Sequence, residues 1–228
     1  MKRKVWVPLT SFIFLFSSYG YGQDKTITAH QIIDKAIDAL GGKEYLLSIK
    51  SLSTVMTIEQ EGVVYNVATT KRFPNKIDIE IKTQDSVISR LVFDGKIGLK
   101  FENGEQSLLD VQEFKDDSFR KNIFEELDYL DSTLWKITFV KEDKIDGIGV
   151  YQIIARSNLD SMMRIVYYSK TSLQLLLEIK FKNEADENYE ITEYSDYKRY
   201  GKLSFYSTVK YQEGPFTTEY KIVDVTTN

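Results

Sequence analysis

From Leu52 onward, apolar and polar residues alternate with a period of two. Ile77, Ile79 and Ile81 alternate with Lys76, Asp78, Glu80 and Lys82. Trp135, Ile137 and Phe139 alternate with Lys136 and Thr138, and Leu173, Leu175, Leu177, Ile179 and Phe181 with Gln174, Glu178, Lys180 and Lys182. Each pattern predicts a strand with one apolar and one wet face. Turn signals such as Glu61-Gly62, Asn103-Gly104, Asp146-Gly147 and Tyr200-Gly201 separate the runs. The predicted strands are 52–60, 63–72, 76–82, 86–94, 96–101, 134–142, 149–157, 162–169, 173–182, 189–198, 202–211 and 216–226. Short connections make the expected sheet an antiparallel meander.

Two stretches keep a helical period instead. Ile32, Ile33, Ala36, Ile37 and Leu40 follow Thr28-Ala29-His30-Gln31, which reads as a capping box, and Gly41-Gly42 supplies a stop. A helix is predicted over 29–40, with His30 solvent-exposed in its first turn. Tyr45, Leu46, Leu47 and Ile49 predict a short helical turn before the first strand. Between Leu109 and Leu130, the residues Val111, Phe114, Phe119, Ile123, Phe124, Leu127 and Leu130 recur at intervals that fit one or two short amphipathic helices. Asp116, Asp117, Lys121, Glu125, Glu126 and Asp128 are expected to face water there. The predicted fold is mainly β: a long, curved antiparallel sheet with an N-terminal helix and a helical lid over 110–130. A sheet with one apolar face must cover it. A sandwich leaves the helices without a role, so the sheet should curl. The residues alone leave open whether it encloses an apolar cavity or a solid core plugged by the helices.

The first 22 residues follow another rule. Lys2, Arg3 and Lys4 precede an apolar run from Val5 to Phe16, and small residues follow as far as Gly22. This predicts a signal peptide cleaved after Gly22 and one domain over 23–228. The run is shorter than the ~20 residues of a spanning helix, the alternative being an uncleaved anchor. Cleavage would leave 27 basic against 34 acidic residues, a net charge of −7, where the whole chain carries −4. An acidic chain is a poor partner for nucleic acid. The 228 residues include no Cys and one His. That excludes thiolate chemistry, disulfides and a lipidated Cys, and makes a His-based triad or metal cluster a poor fit.

No Gly-x-Ser-x-Gly, P-loop or Gly-x-Gly-x-x-Gly motif occurs. Asp78 with Glu80, and Glu125 with Glu126, are carboxylate pairs expected to be solvent-facing rather than catalytic. The run Glu184 to Glu187 reads as a solvated hairpin tip. Arg90, Arg156 and Arg164 lie in β-like segments. Each is either a surface arginine or one that holds a lid or meets a lipid headgroup. Arg164 stands out, since Met162, Val166 and Tyr168 share its face. The C-terminal tyrosines are expected to form cross-strand pairs rather than a carbohydrate platform.

Five local patterns carry a resemblance: Ala39-Leu40-Gly41-Gly42-Lys43-Glu44 leading to Ile49-Lys50-Ser51-Leu52; Phe73-Pro74-Asn75-Lys76 after Lys71; Phe93-Asp94-Gly95-Lys96-Ile97-Gly98; Tyr167-Tyr168-Ser169-Lys170-Thr171-Ser172-Leu173; and Tyr194-Ser195-Asp196-Tyr197-Lys198. In order and spacing they resemble the LolA-like periplasmic lipoprotein-carrier superfamily, including its outer-membrane lipoprotein-sorting proteins, over 28–226. The resemblance implies an unclosed antiparallel β-barrel with a helical lid. It also implies a soluble, monomeric periplasmic carrier, not an enzyme and without a cofactor or metal. Its cavity would shelter acyl chains of lipoproteins or lipids on the way to the outer membrane. Inner-membrane donor and outer-membrane acceptor proteins would be its partners. The other role open to such a fold is a sensor or adaptor that binds protein partners. The expected cavity and lid residues are Ile77, Ile79, Ile81, Leu91, Phe93, Phe119, Ile123, Leu127, Trp135, Ile137, Phe139 and Arg164.

Overall fold

The N-terminal helix, α1 (Ala29–Leu40), has the predicted bounds. The Thr28 side chain accepts from the Gln31 amide, and the Gln31 side chain accepts from the Thr28 amide, so two orphan donors of the first turn are satisfied. His30 is exposed. A second short helix, α2 (Lys43–Ser48), leads into the sheet. The protein is described here from a computed structural model that covers residues 27–84, 86–109, 118–181 and 189–228. The expected signal peptide, the lid residues 110–117 and the acidic run 184–187 lie outside the described residues.

Six strands follow as consecutive hairpins: β1 (Ser51–Gln60), β2 (Val63–Arg72), β3 (Lys76–Thr83), β4 (Ser86–Phe93), β5 (Gly98–Glu102) and β6 (Glu105–Leu109). A third helix, α3 (Glu125–Tyr129), precedes β7 (Trp135–Ile145), β8 (Ile148–Ser157), β9 (Met163–Ser169), β10 (Leu175–Phe181), β11 (Tyr189–Ser195), β12 (Lys198–Tyr200), β13 (Leu203–Phe205), β14 (Thr208–Glu213) and β15 (Phe216–Thr227). Thirteen strands form one antiparallel sheet in the order β6-β5-β4-β3-β2-β1-β15-β14-β11-β10-β9-β8-β7, while β12 and β13 pair by themselves. Two meanders are therefore sewn together where the first strand pairs with the last, Leu52 opposite Thr227. The sheet stays open between β6 and β7, and the segment carrying α3 links those two edges. At Asn103-Gly104 and Asp146-Gly147 both residues have positive φ, as a two-residue hairpin turn matched to strand twist requires.

The strand predictions need correction at four places. Glu105–Gln106–Ser107–Leu108–Leu109 does not alternate, so the pattern predicts no strand there, yet β6 forms as a largely exposed edge strand. The single strands expected over 189–198 and 202–211 are each broken. Asp196 turns with positive φ, and its backbone carbonyl and carboxylate accept from the Ser207 and Thr208 hydroxyls, both at 2.7 Å. That break folds β12–β13 inward, so that Leu203 and Phe205 are buried beside α1. In β10 the pairing with β9 slips between Leu175 and Leu177. A one-residue slip exchanges the faces of a strand. Glu178 is therefore buried on the concave side, while Leu177 and Ile179 turn to the outer face.

The main core lies between α1 and one half of the sheet. Ile32, Ile33, Ala36 and Ile37 are at most 1% exposed and pack with Ile153, Ala155, Val166, Tyr168 and Leu203. Ile33→Val is expected to lower stability by about 1 kcal/mol, as removal of one buried methyl usually does; a shift in the urea unfolding midpoint at unchanged slope would measure it. A separate small cluster of Ile77 and Phe93 holds the other half, with Ile79, Leu91 and Leu109 against it.

Candidate functional site

α1 fills only the half of the curve formed by β7–β9. Over the other half the described residues leave the concave face uncovered, and it holds two adjoining chambers. The apolar one has a volume of about 480 Å³. Met56 and Ile58 of β1, Val67 of β2, Ile79 and Ile81 of β3, and Val209 and Ile222 of β14 and β15 form its walls. These side chains share one face because the pairs Met56–Val67 and Val67–Ile81 are directly opposed across neighbouring strands. The second chamber, about 400 Å³, shares Leu52, Ile79, Tyr194, Phe205 and Tyr206 with the first but is walled at its far end by charge. Both volumes fall in the ~300–1,000 Å³ range of small-molecule sites.

The charged end is built by α3 and the two strands it faces. Arg164 on β9 is 4% exposed and is ion-paired with Glu125 of α3 and, at 2.9 Å, with Glu178 of β10. Arg120 is ion-paired with the other oxygen of Glu125. The Tyr194 hydroxyl donates to Glu178 at 3.1 Å, and the Arg164 guanidinium lies 5.3 Å from the Trp135 ring centroid. Burial pushes the Glu125 carboxyl up, but the charges of Arg120 and Arg164 outweigh it and hold the group below the usual carboxylate range. Glu126, next along α3, has no such partner among the described residues. Burial, followed by the charges of Glu125 and Glu178, raises it from 4.5 to about 7. Both residues retain some accessible surface because they border the chamber, while protein surrounds them on the remaining sides.

The expectation that Glu125 and Glu126 face water is thus overturned. α3 is pinned to the sheet by Arg164, with Ile123, Phe124, Leu127 and Tyr129 buried beneath it, and its carboxylates have nowhere to go but inward. Asp128, also expected in water, is 2% exposed and accepts from the Asn122 side chain at 2.8 Å. Arg90 conforms to a surface role, bonding both oxygens of Asp78 at 2.9 and 2.7 Å, and Arg156 is exposed.

The predicted cavity residues divide between cavity and packing. Ile77, Ile79, Ile81, Ile123 and Arg164 line the chambers. Phe93 and Leu91 pack on Ile77 and Ile79. Leu127, Trp135, Ile137 and Phe139 pack into the α1 core. Phe119 is 40% exposed and reaches only a small crevice beside Trp135 and Arg164. The residues that sequence reasoning missed are Leu52, Met56, Val67, Val209, Ile222 and the tyrosines. Their only signal was β alternation, which marks a face without saying which neighbour fills it. Tyr194 and Tyr206 do pair, with ring centroids 4.7 Å apart, but they also wall both chambers. Among the described residues no group of three His, Cys, Asp or Glu is placed to hold a metal, and no helix is long and apolar enough to cross a membrane.

No protein-family model and no curated protein matches this sequence. Solved structures do match. A LolA superfamily protein from Nitrosomonas europaea superposes with a TM-score of 0.61 at 8% identity, covering 89% of this chain and 94% of that one. A domain named for outer membrane lipoprotein sorting, from Vibrio parahaemolyticus, gives 0.56 at 11% identity, covering 87% and 92%. A DUF1329 family protein from Desulfovibrio piger gives 0.56 at 12% identity, covering 86% and 92%. At such identities the likeness speaks for the fold: this chain has a LolA-like fold.

Proposed function

We propose that this protein is a carrier of acyl chains, exported by a signal peptide cleaved after Gly22 and acting in the periplasm as a single soluble domain over 23–228. The observation that carries the reading is the apolar chamber on the uncovered half of the concave face. A space of that size is too large to be a packing fault among the described residues, since protein interiors tolerate few voids larger than a water. One structural neighbour is named for outer membrane lipoprotein sorting, which is in keeping with a cargo of lipoprotein or lipid acyl chains on the way to the outer membrane. Burying a methylene gains ~0.8 kcal/mol, so ten would offer ~8 kcal/mol before association costs of several kcal/mol. The resulting weak to moderate affinity suits cargo that must be released. Donor and acceptor proteins at the two membranes would be the partners, and the chain would act as a monomer.

Ile79→Trp tests this reading, because Ile79 lies where the two chambers meet. The larger ring should displace about two methylenes and weaken binding of a fluorescent acyl probe roughly tenfold. Glu80→Ala, on the outer face beside Lys82, should leave it unchanged. Equal affinities in two folded variants would argue against an acyl-binding cavity. Native mass spectrometry of the protein purified from the periplasm should show a co-purifying lipid. Its absence, together with failure to bind the probe, would favour the adaptor role.

A further inference from the structure

The apolar chamber runs along β1. Leu52, Thr54, Met56 and Ile58, alternate residues of that strand, all stand in its wall. A strand advances ~3.4 Å per residue, so from Leu52 to Ile58 the chamber is about 20 Å long. An extended chain covers three bonds in ~3.5 Å, or about 1.2 Å per bond, so about 16 carbons span that length. The volume gives the same count. A methylene takes about the room of a water, ~30 Å³, and 480 Å³ therefore holds about 16. Spread over about 20 Å, that volume leaves a section of about 24 Å², and one extended chain, at ~30 Å³ per ~1.2 Å, already needs about 25 Å². Two chains side by side do not fit.

The two ends of the chamber differ. Leu52 lies directly opposite Lys71, and both also border the second chamber. Among the described residues Lys71 is the one charged side chain in the apolar chamber's wall. Met56, Ile58, Val67 and Ile81, towards the other end, border the apolar chamber alone. The second chamber offers no equal place for a second chain. Its wall carries four basic and four acidic side chains, and hydrocarbon laid against them would displace water without returning a hydrogen bond.

We propose that the cargo is an amphiphile with a single acyl chain of about 16 carbons, laid along β1 with its methyl end at Ile58 and its polar head at the Leu52–Lys71 end, against the second chamber. The inference rests on the carrier reading and narrows its cargo. A ligand with two or three chains would leave all but one of them outside the apolar chamber, in water or against charge.

The experiment measures displacement of a fluorescent acyl probe by lysophosphatidylglycerols from octanoyl to eicosanoyl, each below its micelle-forming concentration. Affinity should rise by up to about fourfold per methylene as far as about 16 carbons and then level off. Dioctanoylphosphatidylglycerol has the same head and the same number of acyl carbons as the hexadecanoyl lysolipid, divided between two chains. It should bind at least about a hundredfold more weakly, because only one of its chains is sheltered. Equal affinities for these two, or a gain that continues to the eicosanoyl lysolipid, overturn the single-chain cargo and leave the carrier intact. Failure of the fluorescent probe and of every lysolipid to bind overturns the carrier reading itself. Ile58→Trp, at the far end, should move the plateau to about 12 carbons and leave the affinity for the dodecanoyl lysolipid unchanged. An unmoved plateau with that affinity intact overturns the placement of the chain along β1. The comparison of one chain with two requires no variant, so it stands even where the substitution disturbs folding. Hexadecanoate as a further probe identifies the source of the chain. Binding as tight as that of the hexadecanoyl lysolipid assigns it to a free fatty acid, and tighter binding of the lysolipid assigns it to a lysophospholipid.

Discussion

Arg164→Met should destabilise the protein by about 3–5 kcal/mol, the cost of removing one member of a buried ion pair and leaving its partners uncompensated. Two carboxylates, Glu125 and Glu178, converge on this guanidinium, which is 4% exposed. Met fills much of the same volume but returns none of the charge, so the loss is electrostatic rather than a cavity effect. Arg120 still compensates Glu125 in the variant, which places the larger burden on Glu178. Part of the loss should therefore be recovered in Arg164→Met combined with Glu178→Gln, which removes the stranded charge. A double-mutant cycle from chemical unfolding reads the coupling directly. A single variant within 1 kcal/mol of wild type would show that α3 is held by its apolar face alone.

Glu126→Gln should act in the opposite direction. A carboxyl raised in the folded state binds its proton more tightly there than in the unfolded chain. Its penalty is absent below the ordinary value of 4.5 and grows as pH rises to about 7, where it levels off. Gln keeps the shape and loses the charge. The variant should therefore match wild type at about pH 4 and exceed it at about pH 8 by at most ~3 kcal/mol. Thermal or urea unfolding at the two pH values measures this. A gain at pH 4 equal to that at pH 8 would mean that the effect is steric and that the Glu126 charge is not buried.

This destabilising carboxylate was invisible along the chain. Glu125, Glu126 and Asp128 follow one another among apolar residues, and a solvated helix face is the ordinary reading of such a run. The structure turns it around because Arg164, some forty positions later, draws Glu125 inward, and Glu126 comes with it. The same distance effect appears in β10. Leu173, Leu175, Leu177 and Ile179 alternate without a break, yet the slip against β9 sends Leu175 to one face and Leu177 to the other. Pairing register belongs to two strands, and one strand's sequence does not contain it.

What the sequence alone determined was local. The capping box and its apolar spacing defined α1, turn residues with positive φ marked the hairpins, and alternation identified the inward faces of β3 and β7. These features depend on neighbours a few residues away, so their physics is complete within a short window. Only the tertiary structure decided which inward face α1 fills and which borders the apolar chamber. Ile137 and Phe139 look like Ile79 and Ile81 in the sequence, but α1 lies over the first pair and the second faces the apolar chamber. It also decided that β1 meets β15, that the tyrosines wall a cavity, and that Glu126 borders that cavity. Each of these is set by a contact between residues far apart in the chain, and the free energy of such a contact exists only once the fold has brought both sides together.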